Sequence, residues 1–343
     1  MCVVGKIKRG VTLKDIAQET GYSVNTVSRV LRDKPEIADN TRQRVLEAAE
    51  SMGHVRNMLA SSLRSGMTHT IAVILGDVAN PHFAIMMSEI EHYARGKGYT
   101  TFLLNTDEDE QLELAAIQTA LRQSVDGIIL CPAQRTPRNI HYMKEKGIPF
   151  VLIGRRYMDI STNYVVCNDE LGGYQATKCL LDAGHREILL LNGLGHISSA
   201  VERKAGYLRA HAEAGIDPGQ EMMVEIPVTA SGCAKAIDRL MQKRVSFSAI
   251  FAFSDMIAWK SWACLHQHGL YVPKDVSIVG FDNIHSRLGF PFQLTSISSD
   301  KRRMSTAAVD VLLEAVKADR RGIERCPYEQ IVVNTALSEG QTV

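Results

Sequence analysis

The chain has 343 residues, 45% hydrophobic and 22% charged, with a net charge of +1; it is too long for one compact core and suits two or three units. No apolar run reaches the ~18 residues of a membrane span, the start MCVVGKIKRG lacks the apolar stretch of a secretory signal, and seven scattered cysteines without a CxxC argue against a disulfide framework or zinc site and for a reducing cytoplasm. Residues 1–66 hold eleven Lys and Arg against seven Asp and Glu, a net +4 that leaves −3 for the remainder, so a basic head on a mildly acidic body points to a polyanionic partner.

The first elements are helical. In TLKDIAQETG, Thr12 is the expected N-cap and Asp15 completes a capping box. Leu13, Ile16 and Ala17 face inward, and Gly21 follows the end. A second helix is expected from Ser23 to about Arg32. A third lies in DNTRQRVLEAAESMG, with Val45, Leu46 and Ala49 inward and Gly53 after it. Two short helices joined by a brief turn, closed by a third, make a helix-turn-helix. RNMLASSLRSG then reads as a linker too short for a stable helix of its own.

From Thr70 the pattern alternates. The apolar runs TIAVILGD, YTTFLLNT, GIILCP and PFVLIG are separated by amphipathic segments, and after NYVVCND the alternation restarts with EILLLNG, MMVEIP, AIFAFSD and SIVGFD. Continuous apolar strands between helices mean parallel sheets covered on both faces, here in two similar α/β lobes. Ligands bind beyond the carboxyl ends of such strands, which two lobes can turn toward a shared cleft.

The stretch GYSVNTVSRVL carries the sharper chemistry. Val24, Val27, Val30 and Leu31 recur at helical spacing, which leaves Asn25, Thr26, Ser28, Arg29 and Arg32 outside. Asn pairs bidentately with adenine and Arg with guanine, while Val reaches only a thymine methyl. Thr12, Thr26, Ser28 and Thr41 suit phosphate contacts. The alternative is a plain solvated face.

VTLKDIAQETGYSVNTVSRVL, followed by TRQRVLEAAESMGHVRN, closely resembles the headpiece of the lactose-repressor/galactose-repressor (LacI/GalR) family of bacterial transcription regulators. The likeness continues through NPHFAIMMSEIE, VDGIILCP, ATKCLLDAGHREILLLNG, ERKAGYLRA, FSAIFAFSDMIA and VPKDVSIVGFDNI. It implies a helix-turn-helix headpiece over residues 1–56, a hinge over 57–66, and a two-lobe effector-binding and dimerisation domain like periplasmic binding proteins over 67–343. Lobe 1 would hold about 67–167 and 298–325, and lobe 2 about 168–297 and 326–343. Val24, Asn25 and Arg29 fall at base-reading positions. Asn57, Ala60 and Leu63 fall in the minor-groove hinge, with Leu63 where the family carries a wedge that unstacks a base step; the alternative for Leu63 is interdomain packing. Arg56 stands where the family usually has Pro, and Ala38 where the third helix usually starts on Ser, which leaves Asp39 as a substitute cap.

The same resemblance implies an effector cleft holding His82, Phe83, Ser199, Arg203, Asp255 and Asp282. Arg203 would be a donor fork, Asp282 an acceptor and Phe83 an apolar wall. Cys131, Gly154 and Ser254 stand where relatives often carry polar contacts. The doublet Arg155–Arg156 suits an acidic ligand; the alternatives are a solvated surface pair or an ion pair with Asp159. The expected partners are double-stranded operator DNA, a second copy of the chain, and a sugar, sugar acid or sugar phosphate, with no membrane and no cofactor. An enzyme is the rival reading, but LLLNGLGHIS has Ser198 in place of the third glycine of a dinucleotide loop. A regulator answering to a protein, or to no effector, is the other.

Overall fold

The computed structural model describes residues 11–31, 36–54, 66–288, 292–323 and 327–343. The chain divides into two compact units, residues 1–68 and 69–343.

Among its described residues the first unit has three helices, α1 (Leu13–Thr20), α2 (Val24–Val30) and α3 (Asp39–Ser51). The capping box forms at α1: Asp15 N donates to Thr12 Oγ1 at 3.4 Å, and Thr12 N donates to Asp15 Oδ2 at 2.7 Å. Gly21 ends the helix at φ 73°, a left-handed conformation that glycine takes without strain. Ile16, Val27, Val30 and Val45 form the buried centre, joined by Ala17 and Ala49. Two expectations fail here. Leu46 is 46% exposed, because the buried stripe of α3 runs through Val45 and Ala49 and Leu46 lies a hundred degrees round from Val45. Asp39 is no cap: Ala38 holds that position without a side-chain bond, and Asp39 sits in the first turn, where its charge still complements the helix dipole. Asn57, Ala60, Leu63 and Arg32 lie outside the described residues.

The second unit holds two six-stranded sheets. In chain order the elements of the first half are β1 (Thr70–Leu75), α4 (Pro81–Gly96), β2 (Thr100–Asn105), α5 (Glu110–Arg122), β3 (Gly127–Leu130), α6 (Arg138–Glu145), β4 (Phe150–Ile153) and β5 (Tyr164–Cys167). The second half adds α7 (Asp169–Asp182), β6 (Ile188–Asn192), α8 (Ser198–Glu213), β7 (Met223–Glu225), α9 (Ala230–Gln242), β8 (Ala249–Ala252), α10 (Asp255–Gln267), β9 (Ser277–Phe281) and β10 (Thr295–Ser299). The chain closes with α11 (Lys301–Arg320), β11 (Gln330–Val333) and β12 (Thr335–Ser338). The first sheet runs β11-β5-β4-β3-β1-β2 and the second β12-β10-β9-β8-β6-β7. All pairings are parallel except that of β12 with β10.

The chain passes between lobes after β5, after β10 and at Asn334. The last crossing corrects the expected boundary. Residues 326–343 do not all belong to lobe 2, because Gln330–Val333 pairs in register with Tyr164–Cys167 of the first sheet. Only from Thr335 does the chain pair with β10. The free edges of β5 and β10 each take half of the stretch QIVVNTALS.

Within lobe 2, α7 and α8 touch backbone to backbone. A Cβ on Gly206 would lie 2.1 Å from Glu170 O, and one on Gly173 2.2 Å from Arg203 O. This approach seats Arg203 of α8 against Asp169 at the start of α7.

Candidate functional site

Two surfaces carry chemistry, one in each unit. In the first unit, Ser23 Oγ accepts from Thr26 N at 3.1 Å and starts α2. Val27 and Val30 are locked in the core. The opposite face then presents Val24, 41% exposed, and Asn25, also exposed, on the first turn, with half-buried Ser28 and Arg29 on the next. Arg29 Nη2 lies 2.6 Å from Glu36 Oε2. The Arg29 and Glu36 side chains are 43% and 61% exposed, so the pair is worth about 0–1 kcal/mol and is readily exchanged for another acceptor. Thr12 and Thr41 stand at the N-terminal ends of α1 and α3.

In the second unit, loops at the carboxyl ends of strands from both lobes line a cavity of about 400 Å³. Five of the six expected effector residues line it: His82, Phe83, Ser199, Arg203 and Asp282. His82, in the first turn of α4, reaches across the lobes to place Nδ1 3.1 Å from Asp282 Oδ1. Asp282 sits at φ 105° just after β9, its N–H held by Ile297 O. Burial alone would raise its pKa, but His82, Arg203 and Lys301 beside it hold the carboxyl below its ordinary value. Arg203 is 6% exposed. Its Nε donates to Asp169 Oδ1 at 2.8 Å and its Nη1 to Phe253 O. The guanidinium stacks 3.4 Å from the centre of the Phe281 ring and 4.5 Å from that of Phe253.

Asp255 does not join them. It is fully buried behind the loop that carries Asp282. Oδ2 accepts from Ile284 N at 2.8 Å and Oδ1 from Ser296 Oγ at 2.6 Å. Its place at the start of α10 turns the side chain toward β9 and β10 rather than the opening. Burial, and then the Asp282 carboxylate, push its pKa up to about 7 against those two bonds. The folded value lies above the unfolded value of about 3.9. The native state therefore holds the extra proton between about pH 4 and 7, and this contribution to stability is lost as pH rises through that window. Asp255→Asn keeps an acceptor for Ile284 and removes the titration. The variant should gain stability relative to the parent as pH is raised from about 4 to 8 in urea unfolding; a difference independent of pH would contradict this.

The arginine doublet does not face an open anion site, and neither member pairs with Asp159. Arg155 takes Glu108, while Arg156 takes Glu202 Oε1 from the other lobe at 2.9 Å and Tyr164 Oη at 2.8 Å. Gln134 Oε1 also spans the lobes to accept from Ser198 N at 2.9 Å. Asp169, Glu108 and Phe253 were missed in the sequence. Phe253 ends the apolar run AIFAF, so its place just past a strand was readable; Asp169 opens a helix and Glu108 stands in a polar turn, and neither gave a signal. Trp259 and Trp262 pack together and against Phe292, away from the cavity lining.

Comparison with known proteins follows this division. The profile described as bacterial regulatory proteins, lacI family, matches residues 12–57. The profile for periplasmic binding proteins and the sugar-binding domain of the LacI family matches residues 68–330. This chain belongs to the LacI family. Among the relatives of this LacI-family chain, the HTH-type transcriptional repressor PurR of Aliivibrio fischeri (strain MJ11) is 32% identical over 322 residues, covering 92% of this chain and 96% of the relative. The lac repressor dimer bound to operator and the anti-inducer ONPF shares the fold, with a TM-score of 0.84 at 22% identity over 97% of this chain and 99% of that one. A periplasmic binding protein/LacI transcriptional regulator from Alkaliphilus metalliredigens QYMF, complexed with D-xylulofuranose, matches at a TM-score of 0.69 and 25% identity, covering 80% of this chain and 98% of the other. No helix among the described residues of the LacI-family chain is long and apolar enough to cross a membrane.

Proposed function

We propose that this LacI-family protein is a repressor that reads double-stranded operator DNA with its first unit and a small metabolite with its second. Val24, Asn25 and Arg29 contact base edges in the major groove, and Thr12, Thr26, Ser28 and Thr41 contact phosphates. Asn57, Ala60 and Leu63 belong to the minor-groove hinge. His82, Phe83, Ser199, Arg203 and Asp282 hold the effector. The observation that carries the DNA reading is the division of α2: Val27 and Val30 are buried while Val24 and Asn25 stand exposed on its first turn. Buried valines fix the helix, and short polar side chains at its N-terminal end are what reaches a base edge.

A homodimer on a pseudo-palindromic site follows from placing one such helix in each of two successive major grooves. PurR relatives are named as repressors and one solved relative is a dimer on its operator, which supports regulation over catalysis. The metabolite acts through its different affinities for DNA-competent and DNA-incompetent states, whichever direction the control takes.

Selection from a randomised duplex pool tests the reading. The full-length protein should enrich two inverted half-sites, and Asn25→Ala should relax the preference at one base pair of each half. A pool that stays random through repeated rounds would refute DNA-sequence recognition.

A further inference from the structure

The cleft contains a carboxylate for which no role has been assigned above. Glu108 follows Asp107 in a bend where both residues have positive φ, 58° and 50°. The bend turns the Glu108 side chain across Gly76, whose hypothetical Cβ would lie 2.3 Å from Glu108 Oε1. Any larger residue at position 76 would displace it. From there both carboxylate oxygens engage the fork of Arg155: Nη1 donates to Oε2 at 2.5 Å and Nη2 to Oε1 at 2.9 Å. Arg155 Nη1 also donates to Pro132 O at 3.0 Å. The Arg155 side chain is 9% exposed and that of Glu108 37%. A buried guanidinium in the wall of the cleft is thus capped by a solvent-facing carboxylate from the same chain.

A guanidinium fork in a cleft wall is what the carboxylate or phosphate of a ligand would engage in two parallel bonds. Here Glu108 already makes both. Arg203 has its charge matched by Asp169 and gives Nε to that carboxylate and Nη1 to Phe253 O, which leaves only its other N–H donors for a ligand. Asp77 and Asp107 add negative charge to the same lining, Asp282 is matched there by His82, Arg203 and Lys301, and the remaining lining guanidinium, Arg135, is solvent-exposed.

We infer that Glu108 is a built-in stand-in for a ligand anion, which sets the cleft to accept an uncharged metabolite bearing hydroxyl or N–H groups and to reject carboxylate- or phosphate-bearing ones. The inference rests on the cleft being the effector site, as proposed above. An entering anion must expel Glu108 from the fork and then face that carboxylate together with its acidic neighbours. Discrimination therefore comes from an occupied partner and from repulsion, both acting against the wrong ligand.

The test uses inorganic phosphate as the probe, titrated calorimetrically into the full-length protein at an ionic strength held constant with chloride. The parent should give no saturable phosphate binding. Glu108→Gln should bind phosphate at least about ten-fold more tightly, a difference of about 1.4 kcal/mol, and its melting temperature should rise with phosphate more than with chloride. Glu108→Gln combined with Arg155→Met should lose both gains. Glu108→Asp, which shortens the reach of the carboxylate but keeps its charge, should show a smaller gain and serves if the Gln variant does not fold. Equal phosphate binding by the parent and the Glu108 variants, no binding by any folded variant, or a gain that survives loss of Arg155 would overturn the inference. Phosphate probes the fork itself. A phosphate gain in a protein whose DNA binding responds to no metabolite would therefore overturn the effector reading and leave the role of Glu108 standing.

Discussion

Arg203→Met is expected to lower the unfolding free energy by about 3–5 kcal/mol, the usual cost of leaving a buried charge without its partner. Asp169 is 2% exposed, and burial already pushes its pKa up against the pull of Arg203. Without the guanidinium it must ionise alone, against the field of the Asp282 carboxylate, or stay protonated. Loss of the guanidinium's contacts with the Phe253 and Phe281 rings adds to the effect. The measurement is urea unfolding of the full chain, followed by Trp fluorescence because both tryptophans lie in lobe 2 on α10. A drop below about 1 kcal/mol would show that the pair is open to water. The double variant Arg203→Met/Asp169→Leu should recover most of the loss, since apolar replacement of a whole buried pair is often neutral. It should not recover effector binding. That separates the two tasks of Arg203, holding α7 to the cleft loop and offering its remaining donors to a ligand.

Arg29→Ala is expected to cost about 1–3 kcal/mol on the selected operator and little on random duplex. Among the described residues the free protein loses only the partly exposed pair with Glu36, so its stability should change by less than about 0.5 kcal/mol. Equal loss on operator and random DNA would mean that Arg29 neutralises phosphate and reads no base. The two roles also differ in salt dependence. A lost phosphate contact reduces the slope of log affinity against log salt by about one, whereas a lost base contact leaves it nearly unchanged.

The first two headpiece helices were legible because their ends are local chemistry, and the third from its apolar stripe through Val45 and Ala49. Thr12 with Asp15, Ser23 and Gly21 each satisfy backbone groups within a few residues, so the sequence around them carries the whole signal. Leu46 was misread because an apolar residue beside a buried stripe looks the same whether or not a neighbour covers it. The alternation of strands and helices was legible from continuous apolar runs. The division of QIVVNTALS was not, since which sheet edge a strand joins is decided by distant partners, Gln330 meeting Tyr164 and Thr335 meeting Ser299. The cleft shows the same contrast. Landmark stretches located His82, Phe83, Ser199, Arg203 and Asp282, but not that Asp255 turns its carboxylate inward to Ser296 and Ile284. The Glu108–Arg155 pair depends on a positive-φ bend and on the absence of a side chain at Gly76, neither of which has a recognisable spacing.

The central claim is that one chain couples an operator to a metabolite, and linkage tests it most directly. A duplex enriched by selection is titrated with the full-length protein, with and without a metabolite that shifts its melting temperature. The metabolite is then titrated into the protein with and without that duplex. The account predicts that the metabolite changes duplex affinity by some factor and that the duplex changes metabolite affinity by the same factor. Operator affinity that matches scrambled competitor, or that is indifferent to every metabolite the protein binds, would contradict it.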